Sequence, residues 1–263
     1  MLTKTRNFVP YVTFVTLPFI KTNYFSALNS IGMSIIKKDY ETRFTAGAFI
    51  VAALFIILGW GLSSHHINEY IVASDFEAIG ENVWYWIWVY RVFIFGWVIF
   101  GIAMMALTTS LTRKPYRVIA LPGAGLVVIG TFFLAIAYAY YYNYGAWGVG
   151  MTAGKSAEEV QVFMDNILYT NQYVTCFIRF GRVFSGLGML LLGYAFVKWR
   201  LVPQLLGWFT ALFGLAAMGI IMGLPEYYEY YKPMVFIKIF WMVAMGVVLL
   251  KRGINIPEAS DKG

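Results

Sequence analysis

The stretch VTCFIRFGRVFSGLGMLLLGYAFV, Val174–Val197, followed at once by Lys198, Arg200 and Pro203, decides the fold. At about 1.5 Å per residue it is long enough to cross about 30 Å of hydrocarbon. Its flank of basic residues marks where such a span meets water. Five further stretches have the same character: Thr45–Leu62, Val83–Leu107, Val118–Tyr142, Leu205–Gly223 and Met234–Leu250. The predicted fold is all-α: a polytopic membrane bundle of six transmembrane helices.

The composition agrees. The chain has 263 residues, 60% hydrophobic, 19% aromatic and only 13% charged, with mean hydropathy +0.67. A soluble fold needs about twice that charged fraction to coat its surface. An ordinary cytosolic enzyme, a disordered chain and a secreted disulfide scaffold are excluded. Cys176 is the only cysteine, which removes an internal disulfide, a CxxC pair and a multi-thiolate zinc site.

Residues 1–44 read differently. Phe8–Ile20 is too short to cross, is broken by Pro10 and Pro18, and precedes Lys21. No small-residue cleavage site follows it, so it does not read as a signal peptide. Continued by an amphipathic piece over Tyr24–Ile36 that ends in Lys37 and Lys38, it predicts an interfacial arm. A seventh, distorted span over residues 8–36 is the alternative. The domains are then the arm 1–44, the membrane domain 45–250 and a tail 251–263.

Loop charge sets the orientation. The arm, second loop, fourth loop and tail carry fourteen basic residues against four acids; the first, third and fifth loops carry Lys155 and Lys232 against nine acids. Strict alternation of this kind places both termini in the cytoplasm, of a prokaryotic inner membrane on this reading. The net charge of +7 is therefore mainly topology, and nucleic acid is not an expected partner. The third loop, Asn143–Tyr173, predicts an amphipathic surface helix: Ser156 as N-cap, Glu158 and Glu159 at its positive end, then apolar Val160, Val162, Phe163 and Ile167.

Four cations remain inside the spans: Arg91, Arg179, Arg182 and Lys238. Counted from the cytoplasmic ends, they lie at heights of roughly 24, 28, 24 and 18 Å, in the outer half of the bilayer. Each ionised group near the centre costs at least about 2.5–3.5 kcal/mol unless it finds a partner or water. In one reading they pair with Glu81, Glu226 or Glu229 and staple the bundle. In the other they line a cavity that holds an anion or anionic headgroup, with Tyr90, Tyr138 and Tyr227 as walls. Arginine suits phosphate or carboxylate because its fork binds two oxygens. Both readings turn all four cations inward. Local patterns around Arg91, Arg179 and Lys238, each on the second helix of a hairpin, also suggest three repeated hairpins.

Other constellations carry less. His65, His66 and Glu69, with Asp75 or Glu77, are candidate metal ligands on an outer loop, but an exposed histidine pair is the simpler reading. Adjacent histidines cannot flank a haem, no nucleophile elbow exists, and no cofactor is expected. Lys238 prompts comparison with retinal proteins, which the span count and the lack of a counter-ion on its helix disfavour. Glycines in the spans point to close helix packing, with Gly219 and Gly223 in strict GxxxG spacing. Glu226–Tyr231, between Pro225 and Pro233, reads as a rigid outer cap above the basic layer.

The segment Lys198-Trp199-Arg200-Leu201-Val202-Pro203-Gln204-Leu205-Leu206-Gly207-Trp208, with Leu187–Val197 before it, resembles the turn in uncharacterised bacterial multispanning proteins of a domain-of-unknown-function class. The resemblance implies a helical bundle and supplies no activity. The expected function is non-enzymatic: a subunit of a homo-oligomer or larger membrane complex whose outer-leaflet Arg/Lys layer binds a lipid or other anionic amphiphile. The alternative is a channel or transporter for a small anion using the same layer.

Overall fold

The computed structural model describes residues 19–63, 79–111, 115–152, 154–224 and 231–254, with side chains from Tyr40 onward. Its helices are α1 (Phe19–Leu62), α2 (Val83–Ser110), α3 (Arg117–Tyr140), a π-helical segment (Tyr141–Trp147), α4 (Gly148–Thr152), α5 (Ala157–Lys198), α6 (Gln204–Gly223) and α7 (Lys232–Arg252). No strand occurs among the described residues. The chain divides into two compact units, Met1–Tyr40 and Glu41–Gly263, and the bundle is the second.

Six stretches are long and apolar enough to cross a membrane: Tyr40–Leu62, Val83–Ser110, Arg117–Thr152, Ala157–Lys198, Gln204–Gly223 and Lys232–Arg252. This is the architecture of an integral, multi-pass membrane protein. All six spans read from the sequence fall inside these stretches. Of the expected arm, the backbone is helical from Phe19; residues 1–18 and the side chains of the Tyr24–Ile36 piece lie outside the described residues.

Consecutive helices pack as neighbours, and α7 returns to α1, where Gly246 lies against Ile50 and the Ala46 carbonyl. The inward face of α2 carries Trp86, Tyr90, Phe93, Trp97, Phe100, Met104 and Leu107, all buried. Their spacing alternates between four and three, the seam of left-handed helix packing. On α7 the same alternation runs through Val235, Lys238, Met242, Met245 and Leu249.

Contact is closest where side chains are absent. A Cβ on Gly181 would stand 2.7 Å from the Gly130 carbonyl, and one on Gly188 2.5 Å from the Gly123 carbonyl, so α3 and α5 touch backbone to backbone. Gly186 meets the Gly214 carbonyl of α6 in the same way, at 2.9 Å. Without a hydrophobic driving force between helices in lipid, such small-residue contact is what lets dispersion hold them together. The GxxxG pair expected to do this makes no such contact among the described residues, where a Cβ on Gly219 or Gly223 meets nothing within 4 Å.

The amphipathic segment after Ser156 is not a separate surface helix. It is the first part of α5, a single helix of 42 residues, about 63 Å at 1.5 Å per residue. The reciprocal capping box is formed: Ser156 accepts from the Glu159 N–H, and the Ser156 N–H donates to the Glu159 carboxylate at 2.9 Å. No proline or glycine between Ala157 and Phe180 breaks the ladder, so the cap starts a helix that simply continues into the span. Its partner, the helical run 117–152, extends correspondingly, and Gly154 (φ 79°) makes the turn between them.

Charge is sorted between the two ends. At one end Tyr116 packs on Trp199 and Gly253 approaches Thr42, bringing together Arg43, Arg117, Lys198, Arg200, Lys251 and Arg252. Glu41 is the one described acid beside them, and the other end holds Glu81, Glu158, Glu159 and Asp165 with Lys155 and Lys232. These are the basic and acidic ends below.

Candidate functional site

The interior changes character along its length. Towards the basic end it is apolar and filled. Met104, Leu107, Met189, Leu192, Phe196, Met242 and Met245 have no measurable exposure. Phe49, Phe100 and Trp241 meet edge-on or tilted with ring centroids 5.6–6.3 Å apart. The indole N–H of Trp241 donates to the Thr210 hydroxyl at 2.8 Å and that hydroxyl donates to the Leu206 carbonyl, so both polar groups are satisfied. Towards the acidic end the same seam on α5 carries Asn171, Thr175, Arg182 and Ser185, all buried.

Two of the four cations are withdrawn into this polar half. Arg182 is 6% exposed and Lys238 4%. They come from α5 and α7. The Lys238 ammonium sits 4.8 Å from the ring centroids of both Trp97 and Phe100. The Arg182 guanidinium lies 4.4 Å from the Tyr231 ring. Ring faces attract cations because their quadrupole is negative there, worth about 2 kcal/mol when desolvated. Phe100 also belongs to the apolar plug, so Lys238 rests directly on the floor that closes the basic-end half.

The other two cations are only half-buried. Arg179 is one turn before Arg182 and shares its side of α5. Arg91 has a different set of partners: its guanidinium lies 5.0 Å from the Trp88 ring and 5.4 Å from the Tyr142 ring, and its Nη2 donates to the Tyr142 hydroxyl at 2.9 Å. The expectation that all four turn inward therefore describes Arg182 and Lys238 and fits Arg91 and Arg179 only partly.

Of the tyrosines read as walls, Tyr90 is buried and stacks on Tyr141 at 6.4 Å, while Tyr138 stacks on Phe93 at 4.7 Å. Tyr227, Glu226 and Glu229 lie outside the described residues, as do His65, His66, Glu69, Asp75 and Glu77. Among the described residues no group of three or more His, Cys, Asp or Glu is placed to hold a metal.

Sequence reasoning missed the rings that hold the cations. Trp97 and Phe100 were legible as members of the inward stripe of α2. Tyr231, the N-cap of α7, is seven residues before Lys238 and so at its angular position, although by sequence it reads as the last residue of the outer cap. Tyr142 carries no such signal, because its position depends on the π-helical segment. Residues five apart lie about 140° apart around an α-helix, but one turn apart in a π-helix. That widening brings Tyr142 and Trp147 together, ring centroids 6.4 Å apart.

No family model, curated protein or solved structure matches the chain.

Proposed function

We propose that the protein is a non-enzymatic membrane subunit in which Arg182 and Lys238, with Arg179 beside them, hold the head of an anionic lipid or similar amphiphile admitted from the outer leaflet of a prokaryotic inner membrane. The observation that supports this reading is the burial of two cations from different helices, Arg182 on α5 and Lys238 on α7. Each is costly in a membrane interior, and an anion that reaches both offsets that cost. The guanidinium supplies a two-oxygen fork and the ammonium a compact charge, which together suit phosphate or carboxylate.

The small-anion channel uses the same residues, but it needs a polar path through the basic-end half. The fully buried Met189, Leu192, Phe196, Met242 and Met245 there favour a ligand that enters and leaves by one end. Glu226 and Glu229 are the competing protein partners for the cations. The subunit part of the reading is supported by Gly219 and Gly223, exposed on α6 with open space where a second helix would approach.

The test is extraction in mild detergent followed by mass spectrometry of what stays bound. Wild type should retain an anionic amphiphile near one per chain, and Arg182→Gln should lose it. Equal retention by Arg182→Gln removes the site. An anion flux in liposomes that Arg182→Gln abolishes replaces the binding reading with the channel.

A further inference from the structure

A second cation site sits apart from the buried pair, on residues that share none of its described partners. Arg91 lies eight residues inside the acidic end of α2, about 12 Å, and side chains on a helix lean towards its N-terminus. The guanidinium therefore reaches back to the level where lipid headgroups begin. It is held against the rings of Trp88 and Tyr142 and donates one N–H to the Tyr142 hydroxyl. Guanidinium has five N–H donors, and no carboxylate is among its described partners.

The Tyr142 hydroxyl is the telling group. It accepts from Arg91 Nη2. A hydroxyl that accepts one hydrogen bond still has its own hydrogen to give. Among the described residues nothing receives it. Arginine and tyrosine thus present unspent donors side by side, beside a cation, and the matching ligand is an anionic oxygen.

The rim says what carries that oxygen. Trp84 is 66% exposed, Trp88 57% and Trp147 40%, with Trp84 and Trp147 packed edge to face at 6.0 Å. Indoles around a cation at headgroup level offer an apolar bed to glycerol and upper acyl carbons, which a free anion has no use for. We propose that Arg91 and Tyr142, framed by Trp84, Trp88 and Trp147, form an interfacial site for the phosphodiester of an outer-leaflet phospholipid. The π-helical segment exists in this account to aim Tyr142 and Trp147 together at that phosphate.

Titration of the delipidated, detergent-solubilised chain with dioleoyl phosphatidylglycerol, read by native mass spectrometry, tests this. Tyr142→Phe keeps the ring and removes the hydroxyl, which is both the donor offered to the phosphate and the acceptor that positions Arg91. It should weaken one bound lipid about tenfold, the loss of one hydrogen bond to a charged group. Arg91→Gln should weaken the same lipid at least as much, and millimolar inorganic phosphate should not displace it. Arg117→Gln, a charge change at the basic end, should leave it bound. Unchanged affinity in Tyr142→Phe overturns the site, whether or not Arg91→Gln folds. Displacement by inorganic phosphate overturns the lipid as its occupant, and an equal loss in Arg117→Gln reduces the effect to net charge.

Discussion

The Lys238 ammonium rests 4.8 Å from the centroid of the Trp97 ring in the bundle interior, where Lys238 is only 4% exposed; Arg182, 6% exposed, lies 4.4 Å from the Tyr231 ring. A charge buried in a membrane interior is costly. Replacing Lys238 by Met keeps most of the volume and removes one charge. The delipidated Lys238→Met protein should melt in detergent at or above the wild-type temperature, because burying a charge costs more than ring contacts return. A drop of several degrees would instead mark Lys238 as a structural staple.

Gly188 and Gly219 make a matched pair of substitutions. A methyl on Gly188 enters the α3–α5 contact 2.5 Å from the Gly123 carbonyl. Gly188→Ala should destabilise by about 1–3 kcal/mol through overpacking. Gly219→Ala has open space around it among the described residues and should leave the stability of the monomer unchanged or slightly raised. Unfolding by dodecyl sulfate, followed by circular dichroism, reads both.

The Trp241–Thr210 hydrogen bond is buried on both sides. Thr210→Val is nearly isosteric and leaves the indole N–H unsatisfied inside the plug. We expect a cost of about 1–3 kcal/mol in the same unfolding assay. Thr210→Ser, which keeps the acceptor, should recover most of it.

The capping box at the start of α5 is local and exposed, so its loss should be local too. Ser156→Ala should raise the opening of the first turn by about 1 kcal/mol. Faster amide exchange at Val160 and its neighbours, with the melting temperature of the bundle unchanged, is the expected signature.

The spans were legible because the need for about 20 apolar residues leaves few alternatives, and because basic turns such as Lys198–Pro203 punctuate them. The same reasoning separated the segment after Ser156 from the fourth span, since hydropathy falls there; a helix, however, needs only an unbroken backbone ladder, and nothing in Ala157–Phe180 breaks it. Gly219 and Gly223 show the limit of motif spacing. What decides a packing glycine is the backbone opposite, which Gly130 and Gly188 face and Gly219 does not. The four cations were visible as a layer because charge is scarce in the spans. Their division between Tyr231, the Trp97–Phe100 floor and the Trp88–Tyr142 pair depends on rotation about each helix and on one π-helical turn, neither of which composition records.

The most direct test is a cryo-electron microscopy map of the protein purified in mild detergent without added lipid, at a resolution that shows side chains. The account predicts non-protein density between Arg182 and Lys238, reaching towards the acidic end and ending on the Trp97–Phe100 floor. Both cations closed by protein carboxylates such as Glu226 or Glu229, with no density between them, would contradict it.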